Sequence, residues 1–342
     1  MGNKQKRILI VRTDRVGDVI LSTPIPREIK KQFPDSFVAV LVRDYTKAIY
    51  KNNPNVDLIL TDDYDDTNKK ETFWKLVKEL KKHQFTHALN LRPTERLNWM
   101  LFLARIPFRV GVGHKFYQYI SFTKSVSRKK YKFLKSEADY CMDLARKIGV
   151  KTNNISTEIH LTDDEKEKVK SYRQVFSPNN EFVVGIHTTH GKSTPNISPN
   201  GYRKLIKILL FNKNIKIVVT DLEPVNEVKN ISEVEYISKS GRDFFCEIAA
   251  FDLLISSSTG PSHIAAALKI PTLTFFCTLP ACSQKLWSPQ GNRAINIEPP
   301  QEFCSTKCSQ NPQNCFLDNE GGIDLEKIAE KILQLSKNNF SE

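Results

Sequence analysis

The chain has 342 residues, 40% of them hydrophobic, and a formal net charge of +13. It is too long for one ordinary core and has enough apolar material for two. Its most apolar stretch, residues 99–104, is cut short by Arg105 and Pro107, which excludes a membrane-spanning helix there. The N-terminal MGNKQKRILIV lacks a signal peptide's apolar segment and cleavage site, and Lys6 spoils a myristoylation match, so a cytoplasmic protein is expected. Seven cysteines, three of them spaced as Cys304-x3-Cys308-x6-Cys315, argue against a full disulfide framework.

In chain order, residues 7–11 (RILIV) read as a strand. Residues 18–32 read as a helix whose start is distorted by Pro24 and Pro26, and 37–42 (FVAVLV) as the next strand. Strands are predicted over 56–60, 86–91 and 108–112. Helices are predicted over 71–83, with Phe73, Trp74, Val77 and Leu80 on one face, and over 97–104. Residues 114–135 are aromatic, basic and without a period, which marks a functional or disordered segment. A helix over 136–148 follows, and 151–178 holds the linker.

The alternation then restarts. Strands are predicted over 182–186, 215–220, 235–237, 253–256 and 272–276, and helices over 200–211, 244–250, 262–268 and 325–335. The pattern predicts two doubly wound, Rossmann-like α/β domains, 1–160 and 161–342, facing across a cleft. The last helix could pack back on the first domain.

Charge divides along the same line. Residues 1–150 hold 30 Lys and Arg against 16 Asp and Glu, while 151–342 hold 21 against 22. Between Glu95 and Glu137 stand ten basic residues and no acid. Such a field attracts an anionic partner: nucleic acid, an anionic membrane face or a phosphorylated substrate. A merely solvated basic surface is the alternative.

Three strand-to-helix turns carry the candidate chemistry. GIHTTHGKST, 185–194, invites a phosphate-loop reading, but five residues separate Gly185 from Gly191 where a Walker A loop has four. What survives is a Thr/Gly/Lys/Ser turn offering amides, hydroxyls and an ammonium to a diphosphate. SSSTGPSHIAAAL, 256–268, sets Ser258, Thr259 and His263 at the positive end of a helix, which is an anion site or simply a capped helix with a structural His. RTDRVGDVILSTP, 12–24, places Asp14 and Asp18 beside Arg12 and Arg15. A carboxylate here can act as a general base, or can complement the helix dipole.

Together these pieces resemble glycosyltransferase family 9, the heptosyltransferases of lipopolysaccharide synthesis, over nearly the whole chain. The resemblance rests on residues 8–42, with their Gly17-Asp18 turn, on HTTHGKSTPNISPNGYRKLI and on ISSSTGPSHIAAALKIPTLTFF. Ser258 departs from an Asp found in some members, and Ile197 from a usual Trp.

The resemblance implies a GT-B fold and an inverting, metal-independent sugar transfer without a cofactor. The donor would be a nucleotide sugar, with ADP-heptose favoured. Asp18 becomes the catalytic base, and Thr188, Lys192, Ser193, Glu227, Ser258, Thr259, Gly260 and His263 become donor contacts, with Glu223 a rival to Glu227. Arg15, Arg92, Arg96, Lys129, Lys130 and Lys132 are assigned to an anionic acceptor, lipid A with inner-core sugars. A monomer peripheral on the cytoplasmic face of the inner membrane, without nucleic acid, is expected.

No Asp-x-Asp metal motif lies near the turns. Residues 62–66 read as a solvated acidic loop, and the three spaced cysteines as structural thiols or a zinc site completed by Cys282. A nucleotide-sugar 2-epimerase of similar architecture and a nucleic-acid-binding protein remain the alternatives.

Overall fold

A computed structural model describes all residues except 1–4, 66, 122, 129–133, 192–193, 238, 308–310, 312–313 and 338–342. The chain divides into two compact units, Met1–His160 and Leu161–Glu342.

The first unit is built on β1 (Arg7–Val11), β2 (Phe37–Val42), β3 (Leu58–Thr61), β4 (His87–Asn90), β5 (Phe108–Val112) and β6 (Lys124–Val126). Every pairing is parallel, in the order β3-β2-β1-β4-β5-β6. A parallel sheet is covered on both faces, which is why β1 is a continuous apolar run, buried from Ile8 to Val11, and not an alternation. On one face Leu9, Val11, Ala39 and Leu41 pack with Leu76, Val77 and Leu80 of the helix Lys69–Lys82 and with Leu97, Met100 and Leu101 of the helix Glu95–Leu103.

The structure departs from the sequence expectation in four places here and at the domain junction. The helix expected over 18–32 is two, Val16–Ile20 and Pro24–Gln32, because Pro24 cannot donate within a helix and instead begins one. Residues 114–135 contain a five-residue helix, Phe116–Ile120, and the edge strand β6, both too short to show a period. Asp62 is fully buried against Arg96, not solvated. The supposed linker contains the helix Asp163–Phe176, started by a reciprocal cap in which Thr162 Oγ1 accepts from Glu165 N at 3.2 Å and Glu165 Oε2 accepts from Thr162 N at 2.9 Å. Only Phe176 of that helix is buried, so its apolar pattern is faint.

The second unit holds β7 (Phe182–His187), β8 (Ile215–Val219), β9 (Val234–Tyr236), β10 (Leu253–Ser257), β11 (Thr272–Phe275) and β12 (Ala294–Ile297), again all parallel, in the order β12-β11-β10-β7-β8-β9. Strand β12 had no sequence counterpart. Leu205, Ile206 and Leu209 of the helix Pro199–Leu210 share a core with Leu325, Ile328, Ala329 and Ile332 of the last helix, Leu325–Lys337. Those four side chains of the last helix are buried in the core of its own unit. Within β7, Gly185 is required by close approach, since a Cβ there would lie 2.4 Å from the Phe251 ring. Among the described residues no helix is long and apolar enough to cross a membrane.

Candidate functional site

In a doubly wound sheet, the loops leaving the strand C-termini on either side of the point where strand order reverses form the natural ligand crevice. In the first unit that point lies between β1 and β4, and in the second between β10 and β7. Two of the three turns singled out from the sequence follow β7 and β10, and the third follows β1.

After β1, one arginine organises three carboxylates. Arg12 is 3% exposed. Its Nε lies 2.9 Å from Asp14 Oδ2, and its Nη2 lies 2.5 Å from Asp18 Oδ1 and 3.0 Å from Glu137 Oε1. Its Nη1 donates to Leu91 O at 3.1 Å, tying the β1 loop to the end of β4. The fully buried Glu137 also pairs with Arg128, and so lies between two guanidinium groups.

Asp14 and Asp18 are placed differently. Asp14 is clamped from both sides, by Arg12 Nε and by Arg92 Nε at 2.8 Å, and burial pushes its pKa above the ordinary value against the pull of Arg12. Asp18, in the first turn of the helix Val16–Ile20, is 24% exposed and held through Oδ1 alone. Its Oδ2 makes no hydrogen bond among the described residues. A base needs an oriented carboxylate with an oxygen left for the substrate, and Asp18 has that arrangement while Asp14 does not.

Among the residues assigned to the acceptor, Arg15 is exposed at the start of this helix. Arg92 is partly exposed and holds Asp14 and, through Nη1, Thr13 O. Arg96 has another occupation. Its side chain is only 11% exposed, pairs with Asp62 at 2.5 Å and lies 4.0 Å from the centre of the Tyr64 ring. It is a structural residue and presents no open fork to an acceptor.

The same holds for more of the basic stretch. Arg109 donates to the carbonyls of Ile106 and Ser121, Arg128 pairs with Glu137, and Lys135 with Asp139 and Asp143. The stretch is thus partly internal and partly surface. Lys129, Lys130 and Lys132 lie outside the described residues, as do Lys192, Ser193 and Cys308.

In the second unit the β7 turn is gripped from below by Asp221, which sequence reasoning missed. Its Oδ2 accepts from Thr188 N at 2.7 Å and from Thr188 Oγ1 at 2.9 Å. Its Oδ1 accepts from Thr189 N at 2.8 Å and from Thr189 Oγ1 at 2.6 Å. The signal was present: an acid two residues beyond the apolar strand β8, the neighbour of β7. Thr188 is 2% exposed, and its hydroxyl also accepts from Val225 N at 3.3 Å. Its buried hydroxyl thus already donates to Asp221 and accepts from Val225, and it shapes the turn. His187, one residue earlier, sits 2.9 Å from Thr220 Oγ1, and burial lowers its pKa although Asp221 pulls the other way.

The β10 turn leads into the helix Gly260–Ala267. Its N-cap, Thr259, makes no side-chain cap bond, and Pro261 stands in the first turn. Thr259 Oγ1 donates instead to Ser257 O at 3.3 Å. Ser258, Thr259 and Gly260 are partly exposed, and Ser258 O accepts from Thr194 Oγ1 at 3.4 Å, joining this turn to the one after β7. A helix start whose amides are not taken by a side chain attracts an anion. His263 is 4% exposed on the first turn of that helix. Glu227 lies on a short turn after β8, partly exposed, with its carbonyl accepting from Arg203 at 2.9 Å, and Glu223 is exposed nearby.

Among the described residues no group of three or more His, Cys, Asp or Glu is placed to hold a metal ion. Burial pushes the Cys277 thiol up to about 12, with Cys304, Cys282 and Cys315 near enough to contribute.

Two doubly wound units in succession, with the candidate turns at their switch points, give the GT-B architecture of nucleotide-sugar glycosyltransferases. Solved structures share it. A glycosyltransferase family 9 protein of Veillonella parvula superposes with a TM-score of 0.80 at 16% identity, covering 99% of both chains. The Escherichia coli ADP-heptose lipopolysaccharide heptosyltransferase II superposes with a TM-score of 0.73 at 15% identity, covering 97% of this chain and 99% of that one.

In sequence, the chain is 27% identical to a Haemophilus influenzae protein named no further than glycosyltransferase, over 83% of this chain and 86% of that one. It is 24% identical to the lipopolysaccharide core heptosyltransferase OpsX of the same organism, over 79% of each. Residues 73–314 match the family model for glycosyltransferase family 9 (heptosyltransferase). The chain belongs to that family and is a glycosyltransferase.

Proposed function

We propose that the protein transfers heptose from ADP-heptose to a hydroxyl of an anionic lipopolysaccharide core acceptor, with inversion and without a metal ion or cofactor. In this reading Asp18 takes the proton of the acceptor hydroxyl as its oxygen bonds to the anomeric carbon. The bond from that carbon to the diphosphate breaks, and the nucleoside diphosphate leaves with its charge held by the second unit.

There the start of the helix Gly260–Ala267, with Ser258, Thr259 and His263, takes one side of the diphosphate. The β7 turn with Lys192 and Ser193 takes the other, and Glu227 faces the ribose. Thr188 contributes by shaping its turn. The acceptor's acidic groups meet Arg15, Arg92, Lys129, Lys130 and Lys132, and the reaction belongs at the cytoplasmic face of the inner membrane, with a monomer as the working form.

The observation that carries the reading is the contrast at the β1 turn. One carboxylate is locked between two arginines, and the other is oriented by a single arginine with an oxygen left over. The family match begins at residue 73, beyond this turn, so Asp18 rests on that geometry and on the likeness of residues 8–42.

The test is a panel of ADP-, UDP- and GDP-sugars in thermal-shift titration, followed by transfer to truncated lipopolysaccharide with the product's anomeric configuration assigned. Stabilisation by a UDP- or GDP-sugar in place of ADP-heptose would reject the donor assignment. A retained configuration would reject the mechanism.

A further inference from the structure

The short helix Phe116–Ile120 is turned inside out. Its polar members face the protein. Gln118 is 2% exposed, accepts from Lys115 N at 2.9 Å and donates through Nε2 to Val112 O at 3.1 Å. Tyr117 Oη donates to Pro93 O at 2.6 Å. Asn98, 2% exposed, donates to Tyr117 O at 3.2 Å and to Ser121 Oγ at 2.7 Å. Room for the amide comes from Gly111 on β5, where a Cβ would lie 2.7 Å from Gln118 Nε2. The apolar members face outward: Phe116 is 79% exposed, Tyr119 82% and Ile120 44%.

A folding core gains nothing from this inversion. It hides an amide that must be fully hydrogen-bonded and leaves two aromatic rings and an aliphatic chain in water, the mark of a surface that meets a partner. The surroundings say which partner. His114 and Lys115, just before the helix, are exposed, and His114 Nδ1 lies 3.1 Å from Ser125 Oγ on β6, whose Lys124 is exposed as well. No acid occurs from residue 96 to residue 136. Exposed aromatic and aliphatic side chains flanked in sequence by Lys115 and Lys124, with one carboxylate, Glu95, near Tyr117, match the layered chemistry of an anionic lipid surface: acyl chains under negative headgroups.

We propose that this face of the first unit is a lipid-docking surface. Phe116, Tyr119 and Ile120 enter the interfacial layer of an anionic bilayer, and Lys115 and Lys124 pair with its headgroups. The surface is independent of which sugar is transferred and from which nucleotide, and it gives the membrane placement proposed above a defined anchor.

The test uses the full chain, with neither donor nor glycolipid acceptor present, so it succeeds or fails separately from the transfer reaction. Co-sedimentation is measured with vesicles of phosphatidylethanolamine and phosphatidylglycerol, and with phosphatidylcholine alone, at about 0.15 M salt. The chain should bind the anionic vesicles. Phe116→Ser, Tyr119→Ser and Ile120→Ser combined should weaken binding at least about tenfold, and leucine at the same three positions should preserve it. Lys115→Glu with Lys124→Glu should remove the preference for phosphatidylglycerol.

Tyr119→Trp, made in the otherwise unaltered chain, provides a second readout that does not depend on the serine variant folding. The emission added by the new indole should be quenched by brominated acyl chains in bound vesicles. Equal vesicle binding by the serine variant overturns the proposal, and so does unquenched added emission when the Tyr119→Trp chain is bound to brominated vesicles. A wild-type oligomer that the serine substitutions dissociate overturns it too, because the patch would then be a contact between copies.

Discussion

Replacing Asp18 by Asn keeps the shape of the side chain and removes its basicity. The structure lets the two consequences be separated. Asp18 is 24% exposed and meets Arg12 through one oxygen, while Arg12 keeps Asp14 and Glu137 as counter-charges. The substitution should therefore cost at most about 1 kcal/mol of stability, as for a partly exposed ion pair. If Asp18 is the base, kcat should fall about 10²–10⁴-fold, or roughly 3–5 kcal/mol of barrier, with donor affinity nearly unchanged.

Asp14→Asn is the opposite case. It removes a carboxylate that two arginines contact at 2.9 and 2.8 Å but whose charged form burial disfavours, so the two effects oppose and stability should shift by no more than about 1 kcal/mol, while kcat falls less than about tenfold. The assay is ADP release from ADP-heptose with truncated lipopolysaccharide, with donor binding by calorimetry and thermal melting on the same samples. An inactive, fully folded Asp14→Asn protein beside an active Asp18→Asn protein would refute the reasoning. So would near-full turnover by Asp18→Asn.

Asp221→Asn replaces two of the four acceptor contacts that hold Thr188 and Thr189 with an amide facing donors, and should cost about 1.5–3 kcal/mol of stability and weaken nucleotide binding. Thermal melting and a nucleotide titration read both. Glu247 is 2% exposed with Oε2 buried and unpartnered among the described residues, and burial raises its pKa from 4.5 to about 7. The folded state thus holds the proton more tightly than the unfolded chain. The stability this gives is complete below about pH 4.5 and is lost as pH rises through about 7. Glu247→Gln should leave stability at pH 5 little changed and raise it at pH 8 by on the order of 1–3 kcal/mol, measured by urea unfolding at the two pH values. Gly185→Ala drives a methyl group into the Phe251 ring at 2.4 Å and should cost about 1–3 kcal/mol, with Phe251→Leu in the same chain restoring part of the loss in melting temperature.

The strands most fully legible in the sequence were those buried on both faces. RILIV, FVAVLV and IKIVV announce themselves because a parallel sheet demands apolar side chains at nearly every position, and their succession with helices fixes a doubly wound topology. The three candidate turns were legible for a related reason: a strand end followed by Gly or Pro and a helix start is a local event, written in adjacent residues. The helix Asp163–Phe176 went unread within the supposed linker, because a helix that buries little leaves little periodicity and its one local signal was the capping pair Thr162 and Glu165.

What no local pattern could supply is which charges pair with which. Arg96 and Asp62 are 34 residues apart, Arg12 and Glu137 are 125 apart, and Thr188 and Asp221 are 33 apart. In sequence Arg96 looks as available as Arg15, and Asp14 as available as Asp18. Strand order decides part of it: β4 beside β1 brings Arg92 to Asp14, and β8 beside β7 brings Asp221 to Thr188 and Thr189. The same holds for the helix Phe116–Ile120. Whether its rings or its amide face the sheet depends on the space left by Gly111 and on Asn98 arriving from another helix, and only the assembled unit settles that.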